Sequence, residues 1–162
     1  ELRFLLLEIV LGANHPHLET LLRQTHQRPG TRLHIQPEGF AELLLRADLC
    51  VGAGGTTTWE RLCLNLPSLV ITTADNQVES ISDLARDGYI TWLGRREEVN
   101  SLKIRNEVLK MMTESNAPNH ASAGFSNLVD GLGAPRVADH LMAKPEQTVN
   151  SCRRDPEIIS RS

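Results

Sequence analysis

The sequence predicts an α/β domain on a Rossmann-like parallel sheet with helices on both faces. Two observations carry this: short apolar runs alternate with segments of helical period, and the runs are apolar at consecutive rather than alternate positions. A strand that is apolar throughout is buried on both sides, which is the situation of a parallel strand covered by crossover helices.

The first run, FLLLEIVLG (residues 4–12), is strand-like, and HLETLLRQTHQ follows it with Leu18, Leu21 and Leu22 at helical spacing. TRLHIQ reads as a strand and FAELLLRA as a helix with Phe40, Leu43 and Leu44 on one side. DLCVGA precedes TTTWERLCLNL, where Trp59, Leu62, Cys63 and Leu66 form an i, i+3, i+4, i+7 stripe expected to face the core. PSLVITT precedes the helical NQVESISDLARDG, and YITWLG precedes SLKIRNEVLKMMTES. From about Thr113 to Asn127 the pattern gives way to a polar loop. PRVADHLMA then reads as a last helix, with Pro135 at its first position. The domain is expected to span 1–143, and 144–162, of low apolar content, is expected to be a disordered tail.

Composition excludes several classes. The 162 residues suit one domain, and 17 Lys+Arg against 20 Asp+Glu give a net charge of −3 with no basic cluster larger than a pair, so no nucleic-acid partner is expected. The longest apolar run is interrupted by Glu8 and too short for a membrane span. Cys50, Cys63 and Cys152 offer neither a disulfide framework nor a metal spacing. Cys50 and Cys63 are expected as small core residues, and a cytoplasmic setting is expected. His15 and His17 lack a third ligand, so no metal site is expected. His26, His34, His120 and His140 are expected to face solvent or cap helices, and Glu97-Glu98 to form a solvated turn beside Arg95-Arg96. No cofactor is implied.

Chemistry concentrates in VGAGGTTTWERLCL. In sheets of this kind ligands bind beyond the carboxyl ends of the strands. Gly54 and Gly55 let a ligand approach the backbone there, the amides that open the helix favour an anion, and Thr56, Thr57 and Thr58 add hydroxyl donors. The same letters also fit a capping box, in which Thr57 and Glu60 satisfy the helix's own amides, and a plain tight turn. Asn76 and Gln77, after the fourth strand, offer paired donors and acceptors for sugar hydroxyls or phosphate oxygens, while Asp75 or Asn76 is equally suited to cap a helix.

ADLCVGAGGTTTWERLCLNLPSLVITTADNQ (47–77) and VDGLGAPRVADHL (129–141) closely resemble the UDP-2,4-diacetamido-2,4,6-trideoxy-β-L-altropyranose hydrolases of pseudaminic acid biosynthesis. The resemblance covers that family's C-terminal half and implies a GT-B architecture, similar to the UDP-GlcNAc transferase that makes lipid II. It implies a UDP-sugar ligand, with Gly54, Gly55, Thr56 and Thr57 at the pyrophosphate, Glu60 at the ribose hydroxyls, Asn76 and Gln77 at the sugar and its phosphate, and Gly12 close to the nucleotide. The implied reaction is attack of water on the anomeric carbon, releasing UDP and the free sugar. The family's base is a histidine in a GxGHxxR-like loop of its N-terminal domain. No such pattern occurs here, so no catalytic residue is assigned, and the fragment is expected to bind UDP weakly and to need its N-terminal domain as partner for hydrolysis. Asn14-His15-Pro16-His17 departs from the family's Asn-Pro-His order, and no counterpart of the tail is recognised. A UDP-sugar-dependent glycosyltransferase and a non-catalytic interaction domain stay open as alternatives.

Overall fold

The computed structural model of the chain describes residues 2, 4–113 and 128–143. Five parallel strands alternate with helices in chain order: β1 (Leu7–Leu11), α1 (Leu18–Gln27), β2 (Thr31–Ile35), α2 (Phe40–Leu45), β3 (Cys50–Ala53), α3 (Thr57–Cys63), β4 (Ser68–Thr72), α4 (Asp75–Arg86), β5 (Thr91–Arg95), a 3-10 turn (Arg96–Glu98) and α5 (Ser101–Thr113). A final helix, α6 (Gly133–Met142), closes the described part. This is the expected α/β class. The strands do not form one sheet, however: β1 pairs with β2 in a two-stranded sheet, and β3, β4 and β5 form a three-stranded one in that order. The expected polar loop falls on 114–127 and the expected tail on 144–162, both outside the described residues, as are Cys152 and His120.

The core follows from the central position of β4. Successive side chains of a strand point to opposite faces, so Leu69 and Val70, both fully buried, feed two separate clusters. Val70 packs with Leu62 of α3, Ile81 and Leu84 of α4, and Ile90, with Trp92, Tyr89 and Val129 at the margin. Leu69 packs with Leu93 and Val108 of α5, flanked by Leu5, Leu49, Val99 and Ile104. Helices thus cover both faces of the three-stranded sheet. Burial on both faces is a property of β4; every residue of β1 is exposed or only partly buried.

Helix ends explain several sequence details. Asn65 adopts φ 56°, and the amides of Leu66 and Asn65 donate to the carbonyls of Arg61 (2.9 Å) and Leu62 (3.1 Å), a Schellman turn that stops α3 just before Pro67. Gly88, at φ +81°, ends α4 in the same way, with Tyr89 donating to Leu84. In β5 the pairing steps from Val70↔Trp92 to Ile71↔Gly94, leaving Leu93 as a bulge beside Gly94 at φ +110°. Helix α6 starts two residues before Pro135. The proline still lies in the first turn, where a missing amide costs nothing.

Two local expectations fail. The buried face of α3 consists of Thr58, Arg61 and Leu62, whereas Trp59 is 44% exposed and Cys63 is exposed. Leu66 is buried, but from the Schellman turn and not from the helix. The second failure is His34, which neither caps a helix nor simply faces solvent: its Nε2 donates to the Glu8 carboxylate across the β1–β2 pair. Arg32 (3.4 Å) and Arg46 (3.9 Å) add to that carboxylate. The hydrogen bond from His34, then the nearby positive charges, hold Glu8 below the usual carboxylate range.

Candidate functional site

Parallel register brings the carboxyl ends of β3, β4 and β5 to one edge. Ala53 pairs with Ile71 and Thr72 with Arg95, so Gly54, Thr73 and Arg95 follow one another along it. The amide of Gly54 still donates to the Ile71 carbonyl (3.0 Å), which fixes where the turn leaves the sheet. Gly54 is buried, and a Cβ there would lie 2.7 Å from Ile81 Cγ1 and 3.5 Å from Gln77 Oε1. Its lack of a side chain therefore serves the packing of α4 on β3. Gly55 has nothing within 4 Å of a Cβ and opens outward.

The turn itself leaves donors free. Thr58 donates to the Gly55 carbonyl and Trp59 to that of Thr56, both at 3.0 Å, while the amides of Gly55, Thr56 and Thr57 have no acceptor among the described residues. The capping box does not form: Thr56 is the N-cap, in helical conformation, and no side chain caps the helix. The Glu60 side chain is exposed and makes no hydrogen bond or ion pair among the described residues. A carboxylate with no local partner, one turn beyond three unpaired amides, is available to a hydroxyl-bearing ligand.

On the next loop Gln77 Oε1 accepts from the amide (2.9 Å) and hydroxyl (3.3 Å) of Thr73, leaving its Nε2 donors pointing to no described acceptor. The Asn76 side chain is exposed and makes no hydrogen bond among the described residues. Ala74 is the N-cap of α4, so neither Asp75 nor Asn76 caps it. Asp75 instead pairs with Arg95 at the end of β5, and that hydrogen bond raises the pKa of Arg95. Gly12 directly follows β1, which belongs to the other sheet, and has open space around it. In the loop that follows, His15 Nδ1 accepts from the His17 amide (3.2 Å). Glu98 accepts from the Arg95 amide (3.0 Å), the solvated turn expected for that segment. The described residues contain no group of three or more His, Cys, Asp and Glu able to hold a metal. None of their helices is long and apolar enough to cross a membrane.

One residue at this edge escapes sequence reasoning. Arg61 is 2% exposed, and its Nη2 donates to the Ala53 carbonyl and to Thr58 Oγ1, each at 2.9 Å. Nη1 reaches Cys50 Sγ at 3.6 Å, and Nε is buried without a partner. Gly52 makes room for it, since a Cβ there would stand 2.4 Å from Nη1. A glycine nine positions before an arginine, between apolar strand residues, is the only signal the sequence offers, and it is weak.

Comparison with known proteins adds one relative. No family model matches the chain. It is similar to the spore coat polysaccharide biosynthesis protein SpsG of Bacillus subtilis (strain 168), at 28% identity over 140 residues. The match covers 86% of this chain and 41% of that protein, so the chain spans less than half the length of the relative.

Proposed function

We propose that this chain is the nucleotide-binding domain of a sugar-biosynthesis enzyme acting on a UDP-sugar, the diphosphate lying against the β3–α3 turn. The observation that carries the reading is the row of amides at Gly55, Thr56 and Thr57 without an acceptor among the described residues, beside the open space at Gly55 and at the carboxyl edge of a parallel sheet. Backbone amides aimed at a diphosphate give short, charge-assisted hydrogen bonds. Glu60, unpartnered one turn later, accepts from the ribose hydroxyls, and Asn76 with the free end of Gln77 addresses the sugar and its phosphate. Gly12 borders the nucleotide from β1. Similarity to a polysaccharide-biosynthesis protein supports a role in sugar metabolism.

The finer assignment follows the resemblance in 47–77 and 129–141: hydrolysis of a UDP-2,4-diacetamido-2,4,6-trideoxy sugar. Water adds to the anomeric carbon, the bond from that carbon to the diphosphate oxygen breaks, and UDP leaves with the electron pair. This chain's part is to stabilise the negative charge that grows on the departing diphosphate. The base that takes the water's proton belongs to a further domain.

Titration with UDP, followed by backbone amide NMR, tests the reading. Shifts concentrated at Gly54–Glu60 and Asp75–Gln77 are expected. Flat spectra at millimolar UDP refute it. Release of UDP without an acceptor, measured after a second domain is joined to this one, separates hydrolase from transferase.

A further inference from the structure

We infer that Arg61 is a positioning residue that sets the shape of the Gly54–Thr57 turn and places an uncompensated positive charge beneath it. This rests on the diphosphate reading of that turn. Guanidinium groups are among the most costly side chains to bury, and those found inside proteins are almost always paired with a carboxylate. Arg61 is 98% buried (2% exposed), and no carboxylate lies within ion-pair distance of it among the described residues. Besides the Cys50 sulfur on Nη1, its acceptors are the Ala53 carbonyl on one side of the turn and the Thr58 hydroxyl on the other, both bonded to the same nitrogen, Nη2. One nitrogen thus spans residues 53 to 58 and limits how far the turn can open.

Two further facts indicate that this burial is built into the chain. Gly52 leaves the space that Nη1 occupies. Nε has no partner among the described residues, so the local hydrogen bonds do not saturate the group. An isolated buried cation is penalised in the empty protein and relieved when an anion settles nearby. The unpaired amides of Gly55, Thr56 and Thr57 lie in the same turn that Nη2 brackets. The guanidinium touches no ligand in this arrangement. It acts through the turn's geometry and through a field that strengthens with the ligand's negative charge.

The test uses the full chain with UMP and UDP as probes. Arg61→Met keeps the length and apolar stem but removes both the charge and the fork. It is expected to bind UDP at least about tenfold more weakly than wild type, and to lose most of the preference for UDP over UMP. A purely structural role would weaken both nucleotides equally. Arg61→Lys retains a charge without the fork and is expected to recover part of that preference. Thermal unfolding checks that each variant is folded. Should Arg61→Met not fold, Gly52→Ala, whose Cβ would stand 2.4 Å from Nη1, displaces the guanidinium while keeping its charge, and a partial loss of the UDP over UMP preference, comparable to that of Arg61→Lys, is expected. Unchanged UDP affinity, or an unchanged UDP-to-UMP ratio, overturns the inference.

Failure of wild type to bind UDP at millimolar concentration refutes the proposed function instead. The turn-holding part is then decided by amide hydrogen exchange at Gly54–Thr57 in unliganded Arg61→Met. Exchange about tenfold faster than wild type is expected from loss of the brace, and unchanged exchange removes it.

Discussion

Alanine at Gly54 and at Gly55 should separate what the glycine pair does for the fold from what it does for a ligand. At Gly54 the new methyl would lie 2.7 Å from Ile81 Cγ1 and 3.2 Å from Cδ1. Ile81 is held by Leu62, Val70, Leu84 and Ile90 and cannot swing aside freely. Overpacking of this kind costs about 1–3 kcal/mol, offset by about 0.4–1 kcal/mol because alanine restricts the unfolded chain. The net loss is roughly 1–2 kcal/mol, or about 3–6 °C in Tm at this chain length. At Gly55 nothing lies within 4 Å, so Gly55→Ala is expected to melt at or slightly above wild type. Its methyl would instead occupy the open space in which the diphosphate is proposed to lie, and UDP affinity is expected to fall about tenfold or more, some 1.4 kcal/mol. Circular dichroism melts, paired with calorimetric UDP titrations, read both quantities. If Gly54→Ala melts with wild type, or Gly55→Ala binds UDP as tightly as wild type, the division of labour is wrong.

Replacing Leu62 by Ala removes a side chain only 2% exposed between α3 and β4 and is expected to cost about 2–5 kcal/mol by urea unfolding; Trp59→Ala, on the exposed face of the same helix, should cost under about 1 kcal/mol. The reverse order would mean that α3 buries the Trp59 side. Glu8 titrates lower in the folded chain than in the unfolded one. Its contribution is therefore complete above about pH 5 and is lost as pH falls through the depressed value, so the stability gap between wild type and Glu8→Gln should close from roughly pH 5 towards pH 3. A gap that persists undiminished at the acid end would show that the His34 contact does not favour the carboxylate. Glu60→Ala should leave Tm within about 1 °C, because the exposed side chain has no partner to lose, while UDP binding weakens; an unaffected affinity would remove Glu60 from the ribose.

Much of this architecture was legible in the chain of letters because it depends on local spacing. Apolar residues three and four apart marked α1, α2, α4 and α5 to within a few residues, and consecutive apolar residues marked β4. Gly88 and Asn65-Leu66-Pro67 punctuate helix ends by backbone conformation, a property of each residue in its immediate setting. Strand-then-helix order likewise places the glycine-threonine turn and the Asn76-Gln77 loop at one edge of a parallel sheet. Tertiary structure alone decided the rest. Hydrophobic period in α3 favours Trp59 and Cys63 for the core and leaves Arg61 off the stripe. The helix is too short for period to dominate, and the acceptors that make Arg61's burial tolerable come from Ala53 of another element and from space left by Gly52. Likewise the division into two sheets, and the pairing of Glu8 with His34 across β1 and β2, depend on which distant strands meet. Spacing along a chain fixes which face a residue shares with its neighbours; the partner waiting opposite that face is supplied by residues far away in sequence, and it is the partner that sets the energy of burying a charge.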